Sequence, residues 1–342
     1  MNVENMERKL VGITMGDPCG IGPEVIIKAL SSETVQSLAD YVIIGSECVF
    51  HEVAENLGIK LDVTILRNGV EELTSSINLL DIDNISTLNT LPHQPLPECG
   101  KASIEYIQEG LKLAMEGKID ALVTAPISKE AVKLAGYEFT GHTELLKEKT
   151  STENVVMMMV GKKLRVAFVT THLAIKDVPH FINRENVFPT IKITAEGLRQ
   201  YFNIERPRIA VCGLNPHCGD GGRFGTEEDN YIIPAIKQAQ EMGINCMGPI
   251  SADVVFNKAI NGDFDAVVAH FHDQGTIPIK LHAFDSGVNI TLGIPIIRTS
   301  PTHGTAFDIA GRGIANPGSM IEAIKTAVTM AETRRHSLTY SR

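Results

Sequence analysis

Residues 208–217 read RIAVCGLNPH, a short apolar run that passes into a polar loop containing a histidine. Two other segments have the same form, LRVAFVTTH (164–172) and DAVVAHFHDQG (265–275). Short runs rich in β-branched residues, bounded by polar turns, are typical of buried strands. Each segment therefore predicts a buried strand with a histidine just beyond its carboxyl end.

The same alternation continues on both sides of these segments. Four more runs predict buried strands, namely VGITMG (11–16), YVIIGS (41–46), DALVTAP (120–126) and GVNITLGIPIIRTS (287–300). Helical patterns alternate with the strands, over 23–30, 128–135, 184–201 and 318–335. Such alternation predicts an α/β fold with a largely parallel sheet. The proline-rich stretch LPHQPLPECG (91–100) predicts an extended strap over the surface.

Composition limits the class of protein. A chain of 342 residues, 43% hydrophobic and 21% charged, predicts a folded protein of two domains. Its net charge of −10 and its lack of Lys or Arg runs argue against nucleic acid and anionic membranes as partners. The six cysteines include no C-x-x-C pair, the first residues show no signal-peptide pattern, and no apolar stretch is long enough to span a bilayer. We therefore expect a cytoplasmic protein with reduced thiols.

Three histidines follow predicted strands: His172, His217 and His272. Because ligands gather beyond the carboxyl ends of parallel strands, these imidazoles can meet at one edge of the sheet. Three neutral imidazoles suit borderline metals such as zinc or cobalt better than magnesium. Any one of them alone is better explained as a hydrogen-bonded histidine at a strand end, but the placement that all three share favours a metal site. His270 lies deeper in its strand and is expected to be a packed core residue.

A second group is cationic and rich in amides. Lys280, Asn289 and Arg298 lie at the ends of the segments that follow His272, and Arg298 interrupts the apolar run IPIIRTS. A guanidinium fork with an ammonium group suits phosphate or carboxylate. Structural alternatives are a solvated lysine and a salt-bridged arginine. The turn GHTE (141–144) adds His142 and Thr143, a weak signal by itself.

Glycine-rich segments give less specific signals. GDPCGIGPE (16–24) is a strand-to-helix turn that does not match G-x-G-x-x-G, so a Rossmann dinucleotide site is not predicted. NPHCGDGGRFG (215–225) fits a backbone nest for an anion or a plain flexible loop equally well.

Taken together, the motifs resemble a known family. HGTAFDIAGRGIANP (303–317) is similar to the cofactor loop of isopropylmalate and isocitrate dehydrogenases, and GIGPEV (20–25) is similar to their N-terminal turn. Over nearly its whole length the chain resembles the 4-hydroxythreonine-4-phosphate dehydrogenase family. The matching segments, in order, are MGDPCGIGPE, GHTELL, TTH, GLNPHCGDGG, HDQG, GVNITLG and IRTSPTHGTAFDIAGRG.

The resemblance implies an α/β fold of the isopropylmalate-dehydrogenase type, with two domains and an active-site cleft between them. A discontinuous domain, 1–135 plus 295–342, would carry the cofactor loop. The domain of 136–294 would carry the metal ligands and the dimer contacts. The family acts as a homodimer whose metal site draws on both subunits, so a homodimer is implied here as well.

The resemblance also implies roles for individual residues. It places the metal ligands at the three strand-end histidines, and the substrate contacts at His142, Thr143, Lys280, Asn289 and Arg298. The cofactor loop would bind NAD through His303, Gly304, Asp308 and Asn316. Asp253 and Asp273 are candidates for proton transfer or for orienting a metal ligand, with Lys280 as a further catalytic residue. Either carboxylate could equally be structural.

The implied reaction is an oxidation of a 4-phosphorylated hydroxy acid with loss of CO₂, dependent on NAD and on divalent zinc, cobalt, magnesium or manganese. The substrate would be 4-hydroxy-L-threonine 4-phosphate, giving 3-amino-2-oxopropyl phosphate, or D-threonate or D-erythronate 4-phosphate, giving dihydroxyacetone phosphate. A metal-dependent hydrolase and a non-catalytic phospho-acid binding protein are the alternatives, and the hydrolase leaves the loop 303–317 unexplained. In the dehydrogenases that the loop resembles, the residue at the place of Asp308 faces the adenosine ribose, so the resemblance implies a preference for NAD over NADP. The alternative is that Asp308 caps or pairs within the loop, with Arg312 four residues further on.

Overall fold

The computed structural model describes residues 8–67, 69–71, 73–87, 92–138 and 141–339. The chain forms two compact units, the first of 1–150 and 295–332 and the second of 151–294 and 333–342. The sequence-based boundary at 135 differs from this division. Residues 136–150, which include the helix that begins at His142, group with the first unit. At the other end, the last turns of the C-terminal helix, from Thr333, group with the second unit.

Strands and helices alternate along the described chain. The strands are β1 (Leu10–Thr14), β2 (Asp40–Gly45), β3 (Thr64–Leu66), β4 (Ile77–Asp81), β5 (Ala121–Thr124), β6 (Val156–Gly161), β7 (Leu164–Phe168), β8 (Ile209–Cys212), β9 (Cys246–Ile250), β10 (Ala266–Ala269), β11 (Val288–Leu292) and β12 (Arg298–Pro301). The helices are α1 (Gly22–Leu30), α2 (Glu33–Gln36), α3 (Glu47–Leu57), α4 (Pro97–Met115), α5 (Lys129–Leu134), α6 (His142–Lys149), α7 (Val178–Phe181), α8 (Arg184–Phe202), α9 (Ile233–Glu241), α10 (Ala252–Ile260), α11 (His272–Ala283) and α12 (Gly318–Thr339).

The first unit has a parallel sheet with the strand order β3-β4-β2-β1-β5-β12. Both faces of its central strands are buried: Val11, Ile13, Val42 and Ile44 are all fully buried. Such continuous burial explains the unbroken apolar runs in these segments, since parallel strands are covered on both sides.

The second unit has the strand order β11-β6-β7-β10-β8-β9. Strands β7, β10, β8 and β9 are parallel, whereas β6 runs antiparallel to both β7 and β11. Helix α11 packs closely on β7 because Gly275 has no side chain: a Cβ there would lie 2.7 Å from a methyl group of Val166. The glycine of the HDQG segment therefore serves the packing of the helix that begins at His272.

Capping residues fix several helix starts. The Ser128 hydroxyl accepts a hydrogen bond from the amide of Ala131 at the start of α5, and the Asn183 side chain accepts one from the amide of Asn186 at the start of α8. These contacts satisfy amides that have no partner within the helix.

The α/β prediction is confirmed, and the four predicted helices correspond to α1, α5, α8 and α12. The helices of the described residues include none with the length and hydropathy of a membrane span.

Two local predictions were wrong. The segment 287–300, predicted as one strand, forms β11 and β12 separated by a turn at Gly293, whose φ of +89° is a conformation that favours glycine. The predicted strap of 91–100 ends early because Pro97 begins α4, where a proline fits the first helical position. Leu91 lies outside the described residues.

Candidate active site

The three strand-end histidines lie at one edge of the second unit's sheet. They follow β7, β8 and β10, which are adjacent and parallel in the order β7-β10-β8. His272 is the first residue of α11, directly after the central strand of the three. The rings of His172 and His272 lie with centroids 6.1 Å apart. Each histidine thus lies beyond a strand, and the role of the three as metal ligands stays a prediction.

The three imidazoles do not close around a single point within one chain. Among described residues, the one group of His, Cys, Asp or Glu whose ligand atoms all lie within 4.8 Å of one another is Asp17, Cys19 and Cys99. His217 stands in a loop after β8, where its ring lies 6.4 Å from that of Phe224. The chain therefore brings two histidines together and presents the third nearby, without forming a complete three-histidine site on its own.

Asp273 contacts the metal-ligand candidate beside it. Its Oδ1 atom lies 2.6 Å from Nδ1 of His272. A carboxylate on one ring nitrogen orients a histidine so that the other nitrogen, here Nε2, can bind a metal. The donor set of neutral imidazoles with one oriented by a carboxylate fits a borderline divalent metal.

The predicted carboxylates share a cavity with His217. An open cavity of about 650 Å³ in the second unit is lined by His217, Asp253 and Asp273, and its remaining walls are largely apolar. Asp253 lies in the first turn of α10. The structure thus groups one predicted metal ligand with both predicted catalytic carboxylates.

Arg298 is a buried charge in the first unit. Its side chain is 2% exposed, and both Nε and Nη2 donate hydrogen bonds to the Thr124 hydroxyl, at 3.1 and 2.6 Å. Burial lowers the pKa of Arg298 to about 10, so the guanidinium stays charged at neutral pH. Burial, followed by the charges of Arg298 and Lys129, holds the pKa of His142 well below its usual range. A fixed cation beside a neutral imidazole suits the binding of an anion.

The other predicted substrate residues fall in both units. Thr143 belongs to α6 of the first unit, although its side chain is outside the described part. Lys280 is an exposed residue of α11, and Asn289 is the second residue of β11. The Oδ1 atom of Asn289 is buried and has no hydrogen-bond partner among the described residues. A buried acceptor without a partner is costly in a folded protein, so this atom is suited to a ligand's donor group.

The loop 303–317 has features that fit a bound nucleotide. Nε2 of His303 is buried without a hydrogen-bond partner among the described residues, and burial lowers the pKa of this histidine. A Cβ added at Gly304 would meet no described atom within 4 Å, so there is open space at that residue. Asp308 is exposed, and no ion pair joins it to Arg312, both being described residues. Asn316 accepts a hydrogen bond from the amide of Gly318 at the start of α12.

Sequence reasoning missed the residues that hold this loop. Glu24 accepts a hydrogen bond from the amide of Ala315, and Lys28 donates to the carbonyls of Gly313 and Ala315 at 2.9 and 2.8 Å. The two side chains also form an ion pair of 2.7 Å. Their spacing of four residues on the predicted helix α1 could have indicated the ion pair between them, because residues i and i+4 share a helix face.

A compact group of thiols was also missed. The Sγ atoms of Cys19 and Cys99 are 3.0 Å apart, and burial raises the pKa of the neighbouring Asp17 to about 6. Two thiolates on one tetrahedral zinc ion, each bound at about 2.3 Å, stand further apart than this. The arrangement is therefore that of two neighbouring thiols.

Comparison with known proteins decides the family. Residues 37–327 match the family described as "Pyridoxal phosphate biosynthetic protein PdxA". The chain belongs to the PdxA family. A 4-hydroxythreonine-4-phosphate dehydrogenase of Desulforapulum autotrophicum is 46% identical over 326 residues, which cover 95% of this chain and 96% of that protein. A protein of Oceanobacillus iheyensis, provisionally named D-threonate 4-phosphate dehydrogenase, is 43% identical over 96% of this chain and 99% of its own length.

A solved structure agrees with the PdxA assignment. The 4-hydroxythreonine-4-phosphate dehydrogenase of Klebsiella pneumoniae has 37% identity and a TM-score of 0.87, over 96% of this chain and 99% of that one. The expected fold is confirmed by this similarity. As a PdxA member the chain is a dehydrogenase, an oxidoreductase that acts on a CH–OH group with a nicotinamide cofactor and a divalent metal. The hydrolase and binding-protein alternatives are therefore set aside.

Proposed function

We propose that this PdxA protein oxidises a 4-phosphorylated hydroxy acid with NAD, using a divalent metal held by His172, His217 and His272. The observation that carries the proposal is the placement of these three histidines beyond adjacent parallel strands β7, β8 and β10. Oxidation of a secondary hydroxyl next to the carbon that bears the carboxylate gives a β-keto acid, which then loses CO₂.

His272 would bind the metal through Nε2, because its Nδ1 atom lies 2.6 Å from Asp273. When bound, the metal supplies a Lewis acid that polarises the hydroxyl to be oxidised and the later carbonyl. Imidazole donors favour zinc or cobalt over magnesium or manganese. Asp253 and Asp273, which line the cavity with His217, are the carboxylates available to take the hydroxyl proton. Lys280 is a further candidate for this proton transfer.

NAD would lie against the loop that contains His303, Gly304, Asp308 and Asn316. When bound, NAD would supply the acceptor for the hydride that the substrate carbon loses. The neutral ring of His303 offers its buried Nε2 to the cofactor, and the open space at Gly304 admits it without a steric clash. The exposed carboxylate of Asp308 favours NAD, because it would repel the 2′-phosphate of NADP.

The phosphate and carboxylate of the substrate need fixed donors. We assign this task to the five residues that the resemblance singles out, namely Arg298, His142, Thr143, Lys280 and Asn289. Arg298 is held in place by its two hydrogen bonds to Thr124, so its remaining donors keep a fixed direction. Fixed donors orient the substrate C–H toward the nicotinamide, which is how binding energy is converted into rate.

The relatives' names give two candidate acids, 4-hydroxy-L-threonine 4-phosphate and D-threonate 4-phosphate. We propose the first as the principal substrate. The test is NADH formation by the metal-loaded enzyme with each acid, with D-erythronate 4-phosphate as a third. A kcat/KM higher for 4-hydroxy-L-threonine 4-phosphate supports the proposal, and a higher value for either sugar acid overturns it.

We propose that the active unit is a homodimer whose metal site draws on both subunits. The three histidines do not meet within one chain. Beside the cavity that contains His217, helix α11 exposes Ile277 and Leu281, and Leu281 is 85% exposed. Exposed apolar side chains of this size mark association surfaces. Sedimentation should show a dimer for the parent and a monomer for Leu281→Asp, and a parent that sediments as a monomer would contradict the proposal.

We also propose a cytoplasmic location. All six cysteines are free thiols, including the neighbouring pair Cys19 and Cys99. Thiols this close persist most readily in a reducing compartment.

A further inference from the structure

The loop that contains His217 has an unusual backbone. His217 and Cys218 both have φ of 53°, and Asp220 has φ of 45°. Residues other than glycine rarely adopt left-handed conformations, and such strained conformations persist only where the surrounding structure holds them. Something outside the three residues must therefore hold this turn.

A buried carboxylate supplies that restraint. Glu228 is 2% exposed, and its Oε1 atom accepts hydrogen bonds from the amides of Leu214 and Asn215 at 2.8 and 2.7 Å. Its Oε2 atom accepts a third, of 3.0 Å, from Nδ2 of Asn215. Three donors thus converge on one carboxylate at the point where the chain leaves β8.

The restraint passes to His217 through Asn215. The carbonyl of Asn215 accepts a hydrogen bond of 3.1 Å from the amide of Cys218, closing the turn that contains His217. Gly219 leaves room for the Glu228 carboxylate, because a Cβ at residue 219 would lie 2.9 Å from Oε2 of Glu228. Glu228 therefore clamps the first residues of the loop, and the hydrogen bond from Cys218 to Asn215 ties the turn to that clamp.

We propose that Glu228 is a positioning residue that holds His217 in the orientation for metal binding. The inference rests on the proposed function, since it takes His217 as a metal ligand. Glu228 does not itself bind the metal or the substrate. It acts on the metal site by fixing Leu214 and Asn215, and through them the left-handed turn.

The test compares Glu228→Gln with Glu227→Gln. A glutamine at 228 can offer one carbonyl oxygen to the two amides, but its NH₂ group then faces the donor Nδ2 of Asn215. Glu227 is the matched control, because within the described part of the chain its carboxylate accepts from Nδ2 of Asn215, at 2.7 Å, and from neither amide that Glu228 binds. Zinc affinity is measured by competition with a chelator, without any turnover.

We expect Glu228→Gln to weaken zinc binding about 10- to 100-fold, the usual effect of losing a contact that orients a ligand. Glu227→Gln should weaken it less than about 3-fold. NAD affinity of the Glu228→Gln protein should stay at the parent value, and kcat should recover at saturating zinc. Unchanged zinc affinity in Glu228→Gln overturns the proposal, as does an equal loss of zinc and NAD affinity, which would indicate general unfolding.

Two further variants complete the test. If Glu228→Gln does not fold, Asn215→Ala replaces it, and it must weaken zinc binding while leaving NAD affinity intact. His217→Ala separates this inference from the proposed function. If His217→Ala leaves zinc affinity unchanged, the metal site itself is wrongly assigned. If His217→Ala weakens binding and Glu228→Gln does not, only the positioning role fails.

Discussion

Asp273 Oδ1 and His272 Nδ1 lie 2.6 Å apart, on consecutive residues at the start of α11. The contact fixes the orientation of the imidazole and directs Nε2 away from the carboxylate. An orienting carboxylate of this kind raises the basicity of a histidine ligand. In the proposed metal site, His272 would be the ligand and Asp273 the residue that orients it.

The first prediction concerns this pair. Asp273→Asn should weaken metal binding about 10-fold or more, because a neutral amide orients the ring less strongly than a carboxylate. Metal affinity by chelator competition and kcat/KM by NADH formation are the measurements. Asp263→Asn, an exposed aspartate in the same unit, is the control and should change neither quantity. An Asp273→Asn protein with parental metal affinity would mean that the contact is incidental.

A second prediction concerns Arg298. Arg298→Lys keeps the charge but loses the fork and the paired hydrogen bonds to Thr124, so the cation can no longer be held in one direction. Losing a charge-assisted hydrogen bond typically costs about 1.5–3 kcal/mol, which corresponds to a decrease of roughly 10- to 100-fold in kcat/KM. Lys101→Arg, a change of cation type at an exposed position of α4, is the control. Unchanged kcat and KM in Arg298→Lys would reassign Arg298 to a structural role.

The third prediction is cofactor choice. The parent should prefer NAD over NADP, because the Asp308 carboxylate would repel a 2′-phosphate by about 1–3 kcal/mol, or roughly ten- to hundred-fold. Asp308→Lys should shift the ratio of kcat/KM values toward NADP. The absence of an ion pair between Asp308 and Arg312, both of which are described, leaves the carboxylate available for this role. Equal use of both cofactors by the parent would show that Asp308 does not contact the ribose.

Buried Asp17 gives a prediction for the pH dependence of stability. Burial raises its pKa from 3.8 to about 6, so ionisation destabilises the folded state. The stabilising effect of the protonated group is complete below about pH 3.8 and is lost as the pH rises to about 6. Asp17→Asn should therefore raise the free energy of unfolding by up to about 3 kcal/mol above pH 6.

Denaturant unfolding at a series of pH values measures this effect. The gain from Asp17→Asn should shrink as the pH falls from 6 toward 4, whereas Asp263→Asn should show no such trend. A gain that is independent of pH would attribute the effect to packing rather than to the buried charge.

The placement of three histidines at one edge of the second unit's sheet could be predicted from the sequence. Apolar runs followed at once by His172, His217 and His272 are local patterns, and parallel strands carry such residues to one edge by geometry alone. The burial of His270, fully enclosed in the structure, followed from its place next to the apolar run that forms β10. Local patterns predict these residues because each depends on its own strand.

Contacts between distant residues could not be read in this way. Glu228 lies 14 residues beyond Leu214, and no periodic pattern connects a carboxylate to amides at that separation. The ties of Lys28 to Gly313 and Ala315 span nearly the whole chain. The turn at Gly293 was missed because its flanking residues are as apolar as a continuous strand. The tertiary contacts of Glu228 and Lys28 are set by the fold, and they leave no pattern in the local sequence.

The most direct test of the account is NADH formation with 4-hydroxy-L-threonine 4-phosphate by the parent and by His217→Ala, each with zinc and with a chelator. We predict rapid NADH formation by the zinc-loaded parent, loss of most activity on chelation, and low activity of His217→Ala under both conditions. Circular dichroism should show that His217→Ala keeps the parental fold. Full activity of the chelated parent, or of His217→Ala, would contradict a metal-dependent oxidation that uses this histidine.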